Sequence, residues 1–156
     1  MFKLTILAVG ALKERHWKDA QDEYLRRLSP FAKLDVQEVA AEPFGGSVTA
    51  EQSMRAEGER ILKRLPADAF VIALDRVGKA VSSTDFARLI QDEGDSGTHV
   101  VFVVGGAAGL DAAVLARAKK KISLSSMTFT HEMARVFLLE QAYRAMTILA
   151  DKAYHL

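Results

Sequence analysis

At 156 residues the chain has the length of one domain with one core, and 49% hydrophobic with 26% charged residues is the balance of an ordinary globular protein. The absence of cysteine excludes disulfides, thiolate metal sites and a cysteine nucleophile, and it fits a cytoplasmic protein. A formal charge of +1 without a basic tail excludes a broad electrostatic grip on nucleic acid, so any such surface must be local.

The opening MFKLTILAVGALKER has a basic residue and a short apolar run, but no small-residue cleavage site follows. It reads as a first strand, Lys3–Val9, ended by Gly10. No run approaches the ~18 apolar residues of a membrane span. From Trp17 the apolar positions 17, 20, 24, 25 and 28 have helical spacing, and Pro30 ends the pattern. Leu34–Val39 alternates as a second strand, and Ala40–Val48, with Pro43, Gly45 and Gly46, is a loop. Thr49 and Gln52 form a capping-box pattern before a helix that carries Met54, Ile61, Leu62 and Leu65 and stops before Pro66.

Phe70–Leu74 is a continuous apolar run, as expected of a strand buried on both faces, with Asp75–Lys79 as its exit loop. Ser82 and Asp85 begin a helix with Phe86, Leu89 and Ile90. A second buried strand, HVVFVV, leads into GGAAGLD and a short helix near Ala112–Ala118. Lys121–Leu124 is a last short strand, and a helix from about Met133 to Leu149 closes the pattern. There is no internal repeat and no linker. Alternating strands and helices with Val/Ile-rich strands predict an α/β fold, a parallel sheet flanked by helices. Ligands bind such sheets beyond the carboxyl ends of the strands. Three segments then share one edge: Leu74–Lys79, Gly105–Gly109 and Leu124–His131.

The stretch Leu124–Ala145, LSSMTFTHEMARVFLLEQAYRA, is the most informative. It opens with the hydroxyls of Ser125, Ser126 and Thr128, then enters a helix that is apolar nearly all round. Such a helix must be buried on several sides, in a core or against a second subunit. Its polar groups, Arg135, Glu140, Gln141 and Arg144, are costly to bury unless paired.

Each candidate has an ordinary structural reading beside the functional one. The glycines at 105, 106 and 109 suit close approach of an anionic or nucleoside ligand, or the turn geometry alone. Their spacing is neither GxGxxG nor a Walker loop. His131 is a base near neutral pH or a histidine bonded at a helix start. Arg135 and Arg144 hold phosphates, or pair with Glu132 and Glu140. Tyr154 and His155 close over a base, or fray. Asp75 with Lys79 suggests a phospho-acceptor, but the paired acids for Mg²⁺ are missing. The clusters Arg26–Arg27, Lys63–Arg64 and Lys119–Lys121 are ordinary solvated faces. A non-catalytic RNA-binding module and a nucleotide-dependent small-molecule enzyme both remain open on this reading.

The chain resembles the small RlmH family of SPOUT-class RNA methyltransferases from end to end. The resemblance is carried by the motif ending Leu7–Gly10, EYLRRL at Glu23–Leu28, ALD at Ala73–Asp75, VGGAAGL at Val104–Leu110 and the long block that includes His131, Arg135 and EQAYRA. Ala107 stands where the family's glycine loop usually has proline. The tail reads Ala153-Tyr154-His155-Leu156 where the family usually ends in PYH and a basic residue. The resemblance implies a single SPOUT domain over 1–156 with a C-terminal trefoil knot, an obligate homodimer and S-adenosylmethionine as methyl donor. It implies methylation of the N3 position of a pseudouridine in 23S ribosomal RNA, without a metal, and the net charge of +1 adds the expectation that the target is the assembled ribosome. The implied cofactor pocket is Leu74, Gly105, Leu124, Ser125, Ser126, Met127, Thr128 and Phe129. His131, Arg135, Arg144, Tyr154 and His155 are the implied candidates beside the acceptor, with no division of roles among them.

Overall fold

The computed structural model describes residues 1–155, in which strands and helices alternate. They are β1 (Phe2–Val9), α1 (Arg15–Leu28), β2 (Ala32–Val39), α2 (Ala50–Arg64), β3 (Phe70–Ala80), α3 (Ser83–Gly94), β4 (His99–Val104), α4 (Ala112–Arg117), β5 (Lys120–Ser123) and α5 (His131–Leu149). The sheet has the order β2-β1-β4-β3-β5, and every pairing is parallel.

Successive strand residues point to opposite faces of a sheet. Leu4, Ile6 and Ala8 of β1, with Val100, Phe102 and Val104 of β4, therefore join the core built with α1, α3 and α5. Leu7, Val9, Val101 and Val103 enter a smaller core that includes Ile61 of α2 and Val114 of α4. Apolar partners on both faces are the reason these strands read as unbroken apolar runs. Helix starts follow their local chemistry. Thr49 and Gln52 make the expected reciprocal capping box on α2, Ser82 accepts the Asp85 N–H at α3, and Thr130 accepts the Met133 N–H at α5.

The long β3 departs from the sequence expectation, which ends the strand at Leu74 and makes Asp75–Lys79 a loop. The chain instead bulges and rejoins the sheet: Leu74 and Lys79 both pair with Ile122 of β5. A Cβ at Gly78 would lie 2.8 Å from the Lys121 carbonyl carbon, so only glycine lets the returning strand lie so close to β5. The bulge pushes Asp75, Arg76 and Val77 outward at the carboxyl edge of the sheet.

The last helix, α5, packs against both α1 and α3. Leu138, Leu139, Ala142, Ala145 and Met146 are buried there, whereas Met133 is 37% and Phe137 40% exposed. The apolar surface expected all round α5 is thus covered on one side and open near its N-terminus.

Candidate active site

The carboxyl ends of β3, β4 and β5 meet at one pocket of about 790 Å³, a size suited to a nucleoside-bearing ligand. Leu74 and the β3 bulge form one wall, Val104–Leu110 a second, and Leu124, Ser125 and Met127–Glu132 a third. The three segments expected to share an edge do share it. Of the cofactor-contact candidates, Leu74, Gly105, Leu124, Ser125, Met127, Thr128 and Phe129 line the pocket. Ser126 is in the same loop but does not line it.

The third wall is held by its own hydroxyls. Ser123 Oγ donates to the Ser125 carbonyl at 2.8 Å, and Ser125 Oγ accepts the Met127 N–H at 3.0 Å. Arg76 of the bulge donates to Thr128 Oγ1 at 3.3 Å, which ties two walls together. Phe129 is edge-on to Phe137 with ring centres 5.1 Å apart, so the loop is seated on α5.

The second wall is a tight turn closed by the Gly109 N–H on the Gly106 carbonyl at 3.0 Å. Ala107 occupies the turn position that favours proline, and the turn closes without it. A Cβ at Gly105 would lie 3.0 Å from the Gly109 carbonyl carbon and 3.0 Å from Leu110 Cγ. A Cβ at Gly106 would meet the carboxylate of Glu57, 2.8 Å from Oε2. These glycines are therefore required by the loop's own packing, and they present only backbone to the pocket.

His131 enters the pocket from the first turn of α5. Its Nε2 lies 3.0 Å from Glu132 Oε1, and its Nδ1 is buried without a partner. The ring covers Gly10, where a Cβ would sit 3.2 Å from Cε1; Gly10 also has φ +86°, which glycine tolerates best. His131 thus lines the pocket with its Nδ1 turned into the protein and not toward the cleft.

Arg135 sits elsewhere. Its side chain is wholly buried outside the pocket lining, donating to Glu38 Oε2 and to the Gly10 carbonyl, both at 2.8 Å. The partner is thus Glu38 of β2 and not Glu132. Its geometry is that of a brace between α5, β1 and β2, beneath His131.

Arg144, Tyr154 and His155 form a second constellation, also outside that pocket. Arg144 Nη2 is 2.6 Å from Glu140 Oε1, the i,i+4 pair the sequence offers. Tyr154 donates to the same oxygen at 3.2 Å, packs on Tyr143 and lies under the Arg144 guanidinium. His155 Nδ1 is 3.4 Å from Arg144 Nη1. Residues Tyr154 and His155 are therefore docked on α5 and are not frayed.

Burial, with the Glu140 charge next, pushes the Tyr154 phenol from 10.0 up to about 12. A raised phenol pKa means the folded state favours the neutral ring. The contribution of this docking to stability is then full below pH 10.0 and is lost as pH rises through about 12. Ultraviolet titration of the phenolate band should show a late-ionising tyrosine that disappears in Tyr154→Phe. Absence of any tyrosine later than an ordinary phenol would count against the docked tail.

Glu57 and Arg76 are residues at the site that sequence reasoning does not single out, and Glu132 enters it only as a pairing partner. Glu132 is one acid among many at helix starts. Glu57 did carry a signal: it falls three residues after Met54 and four before Ile61, on the apolar stripe of α2, where a carboxylate is out of place.

The chain matches the family described as "Predicted SPOUT methyltransferase" over residues 2–155. It is 44% identical to a ribosomal RNA large subunit methyltransferase H of Carboxydothermus hydrogenoformans, over 98% of this chain and 99% of that protein. Proteins of the same name from Bifidobacterium adolescentis and Bifidobacterium animalis subsp. lactis are 46% and 49% identical, over 98% and 97% of this chain and 99% and 98% of theirs.

Proposed function

The chain belongs to the SPOUT methyltransferase family, and from that premise we propose that it methylates N3 of a pseudouridine in 23S ribosomal RNA, using S-adenosylmethionine, as a cytoplasmic homodimer acting on assembled ribosomes. The family's single domain and C-terminal trefoil knot are part of this reading. The observation that carries it is the pocket itself: a glycine-floored cleft at the carboxyl edge of a parallel sheet, walled by the segments the family resemblance singles out.

The residues present fit this cofactor. Gly105 and Gly106 bring bare backbone to the cleft, Leu124, Ser125 and Met127–Phe129 line its third wall, and His131 adds an imidazole to the lining. Bound S-adenosylmethionine supplies a methyl group already activated on a sulfonium, so the protein's contribution is alignment and exclusion of water. Leu74, Val104 and Phe129 provide apolar wall, while Arg76 and Thr128 hold two walls at a fixed separation. The acceptor nitrogen must give up a weakly acidic proton, which a nearby base or cation assists. His131 is the titratable candidate on the donor side. Arg144 of α5, with Tyr154 and His155 packed against it, lies outside the donor pocket, so within this reading the three meet the acceptor from the partner subunit, and Arg135 contributes by bracing the strand ends.

An apolar rim supports the homodimer. Val77 and Met127, which line the pocket, and Met133 and Phe137, in the first half of α5, are exposed, an arrangement that favours cover by another surface. Phe137→Asp places an unpaired charge in that rim and is expected to convert dimer to monomer or aggregate. Sedimentation of wild-type protein as a stable monomer at micromolar concentration would oppose the assembly.

The experiment for the function as a whole has two stages. Calorimetric titration should detect S-adenosylmethionine binding. Methyl transfer should then be far faster on assembled ribosomes than on protein-free RNA, because a chain with net charge +1 must rely on a shaped target. Removing residues 154–156 should depress transfer much more than cofactor binding. Normal transfer by the shortened protein would remove the tail from the acceptor site, and equal activity on free RNA would remove the ribosome requirement.

A further inference from the structure

We propose that Glu57 is the residue by which the pocket distinguishes the cationic methyl donor from its neutral product. The inference rests on the S-adenosylmethionine reading above. Glu57 belongs to α2, behind the glycine turn, and is 4% exposed. Its Oε1 accepts the Glu42 backbone N–H at 3.0 Å, and its Oε2 has no hydrogen-bond partner. The flanking arginines of its own helix are engaged elsewhere, Arg55 beside Glu51 and Arg60 with Glu42. Among the described residues no ion pair reaches Glu57.

What Glu57 does touch is Gly106. A Cβ there would fall 2.8 Å from Oε2 and 2.9 Å from Oε1. The Gly106 hydrogen in that direction faces both carboxylate oxygens, a space that any side chain would fill. The other face of Gly106 lines the pocket. One backbone layer separates an uncompensated buried carboxylate from the ligand.

A buried carboxylate without a counter-charge is costly, and a cation arriving nearby recovers part of that cost. S-adenosylmethionine carries a sulfonium cation, whereas S-adenosylhomocysteine, left after methyl transfer, is a neutral thioether. The two share every other group, so shape separates them poorly and charge separates them well. Across one backbone layer and at the effective dielectric of a protein site, one unit charge is expected to change affinity about tenfold. Two other acids line the cleft, Asp75 and Glu132, but both are partly exposed. Asp75 accepts the Val77 N–H at 3.3 Å, and Glu132 lies beside His131. Solvent and these partners weaken their fields more than that of Glu57. Loss of the cation on transfer then loosens the product from the same site that held the donor.

The test is calorimetric titration of the full chain with S-adenosylmethionine and, separately, with S-adenosylhomocysteine. Glu57→Gln, which keeps the shape and removes the charge, should weaken the donor about tenfold and the product by less than about twofold. Glu57→Asp should retain the wild-type preference. Equal weakening of both ligands, or no change in either, overturns the proposal, since a purely structural carboxylate would affect the two alike. If Glu57→Gln does not fold, Glu57→Ser removes the charge without presenting an amide to Gly106. Failure of both variants to fold assigns the carboxylate to folding and overturns the proposal. Wild-type protein that binds neither ligand overturns the cofactor reading itself, an outcome distinct from loss of discrimination alone.

Discussion

Gly105→Val is expected to eliminate measurable S-adenosylmethionine binding while the protein remains folded. Its Cβ would fall 3.0 Å from both the Gly109 carbonyl carbon and Leu110 Cγ, and valine adds two methyl groups beyond that. A β-branched side chain at this position blocks close approach of a ligand directly. The structure adds that the turn cannot stay where it is, because one contact is backbone and cannot rotate away. Displacing the turn costs about 1–3 kcal/mol, a loss the sheet and both cores can absorb. The ligand, however, meets a shifted floor and a narrowed cleft together, and a loss of about 2.7 kcal/mol or more corresponds to at least a hundredfold in affinity. Calorimetry and circular dichroism on the same sample check both halves. Undiminished affinity in a folded variant would sink the assignment of Gly105 to the cofactor site.

Arg135→Ala should produce the largest loss of stability among the candidate-site residues. The guanidinium is fully buried and joins three elements through Glu38 and the Gly10 carbonyl. Removing it strands the Gly10 oxygen and opens a void under His131. Breaking a buried ion pair from one side costs 3–5 kcal/mol in typical cases. Glu38 is 41% exposed at its side chain, and water rescues part of its charge, which places this case near the lower end. About 3 kcal/mol lowers the melting temperature by roughly 6–12 °C for a domain of this size. Cofactor affinity should fall as well, since the Gly10 carbonyl and the His131 ring sit on the same brace. A variant that melts like wild type but loses methyl transfer would instead put Arg135 at the acceptor.

Much of this organisation is legible in the residues. Strands buried on both faces announce themselves as FVIAL and HVVFVV, because no position along them can be polar. Gly105 and the hydroxyl loop Leu124–Phe129 are readable because their geometry depends on neighbours in the chain. The cost of Arg135 in an apolar helix is equally visible, but its partner is not. Glu38 is 97 positions away, and only the sheet brings the two together. The β3 bulge is hidden for the same reason: Gly78 answers to the backbone of β5, a strand that begins at Lys120. Glu57 is an intermediate case. Its register on α2 marks it as facing inward, but the glycine it faces comes from a turn between β4 and α4. Docking of Tyr154 on Glu140 needs the chain to reverse after α5, and no composition signal at Ala153–His155 records that reversal.

The strand order β2-β1-β4-β3-β5 also governs how the protein comes into being on the ribosome. One edge of β1 has its partner β2 available once residue 39 has emerged, but its other edge waits for β4. Thr5 meets His99 across that seam, 94 positions later in the chain. At the usual synthesis rate of about 5–20 residues per second, the nascent β1 therefore keeps an unpaired apolar edge for roughly 5–20 s. During that interval it is a template for any other extended chain, and the closing contacts are of the non-local kind that form slowly. The seam between β1 and β4 is thus the place where a folding defect in this protein would begin, well before the pocket exists to be tested.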